Sequence, residues 1–254
     1  MRIIAVASGK GGVGKTTTAA SLGVGLAALN KKVLLVDMDM GLRNLDVALG
    51  MEDKVFYHLL DVAEQKCLPA EAVLRDERYP NLSFIAACQT VPEQALSADL
   101  LRPVLRQLAQ DYDAVILDCP AGIGNGFECA VSAADEAIVV STPTVAAVRD
   151  ADRVLHLLEQ KKIRGRSILI TRMREELIPS GAMLDAEDIS DILGVPLLGV
   201  IPEDDHCILY SNEGESLIGS GTPAGKAYER VSRRLNGEDV AVPKKKKKRF
   251  HLFH

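Results

Sequence analysis

Gly9-Lys10-Gly11-Gly12-Val13-Gly14-Lys15-Thr16-Thr17 places four glycines, two lysines and two hydroxyls in nine consecutive positions. Gly9, Gly14, Lys15 and Thr16 satisfy the spacing G-x-x-x-x-G-K-[ST], a loop that cradles polyphosphate. Glycine lets the backbone pass close to phosphate oxygens and turn several N–H groups toward them, and a helix that begins at once adds its dipole. The backbone from Gly11 through Gly12, Val13 and Gly14 to Thr17 is therefore expected to bind the phosphates. Lys15 is expected to reach the β- and γ-phosphates, and Thr16 to set a hydroxyl on Mg²⁺. Lys10 is not demanded by the spacing, which makes it the more diagnostic lysine.

Two apolar runs end in carboxylates. Val33-Leu34-Leu35-Val36 leads into Asp37-Met38-Asp39, and Val115-Ile116-Leu117 into Asp118-Cys119-Pro120-Ala121-Gly122. An acid at a strand's carboxyl end beside a phosphate loop can hold the shell of Mg²⁺. Asp118 suits that role best, with Asp37 in support. Asp39, just beyond the strand, could contact the metal shell and orient or deprotonate an attacking water. Singly, each could be a solvated acid capping a loop; the phosphate loop makes them a set.

Chemistry of this kind needs strands that end together. Strands are expected at Ile3–Ala7, Val33–Asp37, Leu82–Ala86, Ala114–Asp118, Ala137–Ser141, Ser167–Thr171 and Leu197–Ile201, most of them continuously apolar as if covered on both faces. Helices are expected at Thr16–Leu29, Val55–Glu64, Ala98–Gln110, Gly126–Ala133, Val145–Gln160, Ala186–Leu193 and Pro223–Leu235. The alternation predicts an α/β fold, a doubly wound, mostly parallel sheet with helices on both faces and ligands at the carboxyl ends of the strands.

With 254 residues, 47% hydrophobic and 26% charged, the chain has the composition of one large globular domain. Aromatics are 4% and Trp is absent, which disfavours a base-stacking nucleic-acid platform. The five cysteines, Cys67, Cys88, Cys119, Cys129 and Cys207, include no C-x-x-C, a pattern that suits a reducing cytosol. The first strand is expected from Ile3, which would leave no room for a signal peptide, and no apolar run approaches a membrane span.

The run from Lys10 to Thr17 resembles the loop of the ParA/MinD family of deviant Walker A ATPases. Asp37-Met38-Asp39-Met40-Gly41-Leu42-Arg43-Asn44-Leu45-Asp46, Asp118-Cys119-Pro120-Ala121-Gly122-Ile123 and Val148-Arg149-Asp150-Ala151-Asp152-Arg153 resemble its septum-positioning branch. So do Met183-Leu184-Asp185-Ala186-Glu187-Asp188-Ile189 and Gly199-Val200-Ile201-Pro202-Glu203-Asp204. The resemblance covers essentially the whole chain. It implies a P-loop NTPase that uses ATP and Mg²⁺, forms an ATP-dependent homodimer, and sends Lys10 across the interface to the partner's nucleotide. It also implies Asp39 as the water-activating acid, Asp118 as the Walker B acid, and Asp150 and Asp152 as part of a partner-binding helix. Two partners are implied, a division inhibitor (MinC) and a topological regulator (MinE). The adenine would lie near Thr171, Arg172 and Pro202. Many relatives carry Asn where this chain has Thr171-Arg172, and a hydroxyl lacks an amide's donor–acceptor pair.

The formal charge of −5 conceals an asymmetry. Residues 243–254 hold five lysines, one arginine and no acid, leaving the rest with 35 acidic against 24 basic side chains. The expected organisation is an ATPase domain at 1–236, a linker at 237–243 and a membrane-targeting tail at 244–254. In that tail Lys244, Lys245, Lys246, Lys247, Lys248 and Arg249 would meet anionic lipid, each contributing roughly 1 kcal/mol, while Phe250, Leu252 and Phe253 insert. One tail would hold weakly; two on a dimer would gain about 10²–10⁴ in avidity. The resulting expectation is an ATPase that cycles between the cytoplasm and the cytoplasmic face of the inner membrane to position the division septum. A DNA-partitioning ATPase of the same family is the alternative, disfavoured by the acidic body. Further off stands an iron–sulfur ATPase resembling nitrogenase iron protein, with Cys88, Cys119 or Cys129 as cluster ligands. No specific nucleic acid is expected.

Overall fold

A computed structural model describes residues 1–90 and 97–243. The tail expected to meet the membrane, Lys244–Lys248 with Arg249, Phe250, Leu252 and Phe253, lies outside the described residues. Along the chain run β1 (Arg2–Ala7), α1 (Lys15–Ala28), β2 (Val33–Asp37), α2 (Leu45–Ala48), α3 (Leu59–Ala63) and α4 (Pro69–Ala72). There follow β3 (Leu74–Arg75), β4 (Leu82–Ile85), α5 (Ala98–Leu108), β5 (Ala114–Asp118), α6 (Asn125–Ala133) and β6 (Glu136–Ser141). The last are α7 (Val145–Gln160), β7 (Gly165–Met173), α8 (Ala186–Leu193), β8 (Leu197–Pro202), α9 (His206–Asn212) and α10 (Pro223–Leu235).

The strands join one sheet in the order β3-β4-β2-β5-β1-β6-β7-β8, parallel throughout except for the antiparallel β3–β4 pair. Strand side chains alternate between faces, so each central strand feeds two cores. Ile3, Ala5, Leu34, Val36, Val115 and Leu117 pack with α5, α6 and α7 through residues such as Leu101, Phe127 and Val154. Ile4, Val6, Val33, Leu35 and Ile116 pack with α1 and α10 through Leu22, Leu26, Ala227 and Val231. The result is the expected three-layer α/β/α sandwich.

Helix starts follow local chemistry. Ser97, Thr144, Asp185 and Thr222 each accept a backbone N–H from the first turn of α5, α7, α8 and α10. The helix expected from Val55 begins only at Leu59. A reciprocal cap sets that boundary: Asp61 N–H donates to His58 Nδ1 at 3.3 Å, and His58 N–H to Asp61 Oδ2 at 3.1 Å. The helix expected to reach Gln110 ends at Leu108 and tightens into a 3₁₀ turn at Ala109–Asp111. Helices α2, α4 and α9 and the two-residue β3 were not anticipated; each is too short to show a hydrophobic period. The segment 237–243 is fastened to the body: Arg234 Nε donates to Val240 O at 2.6 Å, and its Nη2 to Ala241 O at 3.1 Å.

Candidate active site

The glycine-rich loop links β1 to α1 at the carboxyl edge of the sheet. Gly12 and Gly14 have φ of +76° and +86°, left-handed values that a side chain would resist. Gly14 is also the N-cap of α1 and offers no side chain, so the helix's first N–H groups face outward without a side-chain acceptor. Thr18 holds the turn by donating to Gly14 O at 2.8 Å, and its oxygen lies 3.0 Å from the buried Tyr228 hydroxyl on α10.

The two lysines occupy opposite environments. Lys15 is buried, and its Nζ lies 3.1 Å from Asp118 Oδ1. Burial is the largest influence and opposes the Lys15 ammonium, but Asp118 together with lesser neighbours that include Asp39 raises its pKa. Lys10 is exposed and forms no ion pair among the described residues. Its loop is anchored from below, where Ser8 Oγ donates to Lys10 O at 2.9 Å. Behind the loop, Gly9 lies against α7: a Cβ there would stand 2.6 Å from Asp150 O. Asp150 is half-buried and Asp152 exposed, so the helix expected to bind partners touches the start of the phosphate loop.

Strand register brings the acids together. Asp37 and Asp118 are neighbours across β2 and β5, both buried. Burial, then the nearby Asp118 charge, push the Asp37 carboxyl up to about 7. Asp37 organises the segment that follows, accepting Asp39 N–H at 2.8 Å and Leu45 N–H at 3.1 Å. Asp39 is thus held half-buried near Lys15, whose charge it supports. Asp118 is buried too, which pushes its carboxyl up against the pull of Lys15 and Thr16. One of its oxygens, Oδ2, is buried with no hydrogen-bond partner among the described residues. An orphaned hard oxygen beside the Thr16 hydroxyl suits Mg²⁺ or one of its waters. No three His, Cys, Asp or Glu cluster as a metal cage among the described residues, and Mg²⁺ bound with phosphates and water needs none.

On the far side, Thr171 and Arg172 lie in β7. Thr171 is buried and donates to Val13 O at 2.7 Å and Ser141 O at 3.3 Å. Its single proton is therefore spent on the phosphate loop. Arg172 is exposed, with φ +53° where β7 slips register against β8. Pro202 ends β8 opposite Met173. Just beyond, Asp204 accepts Ala224 N–H at 2.9 Å and contacts His206 Nδ1 at 2.7 Å, joining β8 to α9 and α10. Cys88, Cys119 and Cys129 are all buried. Burial drives the Cys119 thiol up to about 12, which keeps it protonated and makes it a poor cluster ligand. Sequence reasoning missed the Thr171–Val13 tie and the Gly9–Asp150 contact; both depend on register between distant segments, which no local pattern carries.

A glycine-rich loop between strand and helix, a buried lysine on a strand-end aspartate and a parallel sheet define a P-loop NTPase. Comparison narrows this. The AAA domain family matches residues 1–171. The septum site-determining protein MinD of Synechocystis sp. is 46% identical over 241 residues, spanning 94% of this chain and 91% of that one. MinD in the Aquifex aeolicus MinC:MinD cell division protein complex superposes with a TM-score of 0.89 at 39% identity, covering 96% of this chain and 99% of that one. Pyrococcus horikoshii MinD complexed with Mg-ADP gives 0.83 at 29% identity, over 92% and 96% of the two chains. The chain belongs to the MinD family of septum site-determining ATPases, and it is an ATP hydrolase acting as a switch.

Proposed function

We propose that the ATPase site is half of a shared one, completed when ATP joins two subunits face to face. The observation that carries this is the contrast between the lysines. Lys15 is buried on Asp118, while Lys10, in the same loop, is exposed without an ion pair among the described residues. A cation held outward from a phosphate loop can neutralise transferring charge on a partner's nucleotide. Hydrolysis is then tied to assembly.

Within each half, the loop backbone from Gly11 to Thr17 binds phosphate oxygens and Lys15 reaches the β- and γ-phosphates. Thr16, Asp118 and Asp39 are the residues that would hold Mg²⁺, which would supply positive charge against the phosphates when bound. Asp39 orients the attacking water, its position set by Asp37. ATP and water yield ADP and phosphate. The base lies by Arg172 and Pro202, with Thr171 shaping the pocket as an acceptor only. The assembled dimer binds anionic lipid through residues 244–254 at the cytoplasmic face of the inner membrane. It engages MinC and the stimulating regulator MinE along the face carrying Asp150 and Asp152. The Gly9–Asp150 contact gives α7 a direct path to the loop. No helix among the described residues is long and apolar enough to cross a membrane.

Mass by light scattering tests the half-site. ATP should double the mass of the parent and leave Lys10→Ala monomeric; ATP-dependent dimers of Lys10→Ala would remove its trans role.

A further inference from the structure

Five cations from three segments line one cleft of about 490 Å³. Arg102 and Arg106 come from α5, Lys161 and Lys162 from the turn ending α7, and Arg164 from just before β7. The one carboxylate in the lining, Asp135, is already used: Oδ1 pairs with Arg106 at 2.8 Å and Oδ2 accepts Ile3 N–H at 2.9 Å. Lys161 pairs with Glu128. Arg102, Lys162 and Arg164 are exposed and form no ion pair among the described residues. Lysines at a helix C-terminus complement its dipole, which accounts for Lys161 and Lys162. It does not account for Arg102 or Arg164, which belong to other elements. Outside residues 243–254 the chain carries 35 acidic against 24 basic side chains, so three unpaired cations in one concavity reverse the local field.

Placement says what they face. Asp135 and Arg164 immediately precede β6 and β7, so the cleft opens at the amino ends of the strands, opposite the phosphate loop. The chain leaves its last helix at that same end. Arg2, at the start of β1, donates to Leu235 O at 2.7 Å. Arg234 bonds both Leu198 O, at the start of β8, and Ala241 O. The last described stretch, around Leu235 and Ala241, therefore lies at the end of the molecule that carries the cleft.

We propose that this cleft receives phosphate groups of anionic lipid headgroups, a second membrane contact that works with the tail. The inference rests on the membrane-binding reading above. Guanidinium groups suit phosphate geometry, and a tail already on the bilayer presents headgroups to the cleft at high effective concentration.

Vesicle flotation with ATP tests it, using phosphatidylcholine vesicles with and without phosphatidylglycerol. The proteins are the full chain, the triple variant Arg102→Gln/Lys162→Gln/Arg164→Gln, and a chain ending at Val242. The triple variant should hydrolyse ATP in solution as the parent does, showing that it folds. Its partitioning onto anionic vesicles at low salt should fall by about fivefold per charge removed, with the deficit shrinking as salt rises. Parent-like binding of the triple variant, with binding lost on truncation, would overturn the cleft and leave the tail reading intact. Loss in the triple variant with full binding of the truncated chain would show a cleft that acts without the tail and overturn the joint contact proposed here. Unchanged vesicle binding with a selective loss of duplex DNA binding would assign the cleft to nucleic acid and overturn the proposal.

Discussion

At the scale of single residues, the site turns on how three aspartates divide their work. Asp118 balances Lys15 and offers one unpaired oxygen, Asp37 spends both oxygens on backbone N–H groups, and Asp39 is held half-buried near Lys15. Replacing Asp39 with Ala should lower hydrolysis by about 10²–10⁴, the range for a positioned water-activating group. ATP-dependent dimers should persist; phosphate release at the parent rate would exclude the role. Asp37 predicts a pH dependence of folding. Its carboxyl moves from 3.8 to about 7 in the folded protein, so the folded state binds the proton more tightly. That contribution is fully present below the unfolded value and is lost as pH rises between the two. Urea midpoints of the nucleotide-free parent, compared with Asp37→Asn, should show the parent's advantage shrinking from about pH 4 to about pH 7. An advantage that grows over that window would contradict the shift. That Lys15 and Asp118 would meet was legible in the sequence, Lys15 from the motif spacing and Asp118 from its place at the end of an apolar run. The orienting work of Asp37 was not, because it depends on where the chain turns back at Leu45.

Among the elements, α1, which begins at the phosphate loop, packs closely against α10. A Cβ on Gly25 would lie 2.1 Å from Ser232 Oγ and 2.7 Å from Ser232 Cβ. Gly25→Ala should therefore force the two helices apart and destabilise the fold by about 1–3 kcal/mol, as overpacking does. Chemical denaturation would measure it, and a loss within error of zero would show that the pair has slack. The long elements were readable: α7, α8 and α10 fall where their hydrophobic periods put them, and β2 and β5 match residue for residue. Legibility failed where a boundary depends on a side-chain cap, as at His58 and Asp61, or on a partner strand, as for Leu74–Arg75 beside β4. Strand β7 runs past the expected Thr171 to Met173 because it pairs with β8 through an irregularity at Arg172.

For the whole molecule, the account joins two opposite ends. The carboxyl end of the sheet holds the phosphate loop, Lys10 and the strand-end acids; the amino end carries the basic cleft and the last described stretch around Leu235 and Ala241. The charge asymmetry between body and tail was plain in the sequence, because it is local. The cleft was invisible there, since its cations are drawn from positions 102, 106, 161, 162 and 164 and meet only in the fold. The central claim is that ATP occupancy at one end governs membrane residence at the other. Sedimentation with anionic liposomes in ATP, ADP or no nucleotide, comparing the full chain with one ending at Val242, tests it most directly. The account predicts that only the full chain with ATP pellets with lipid. Equal pelleting in all three nucleotide states, or undiminished pelleting of the shortened chain, would contradict it.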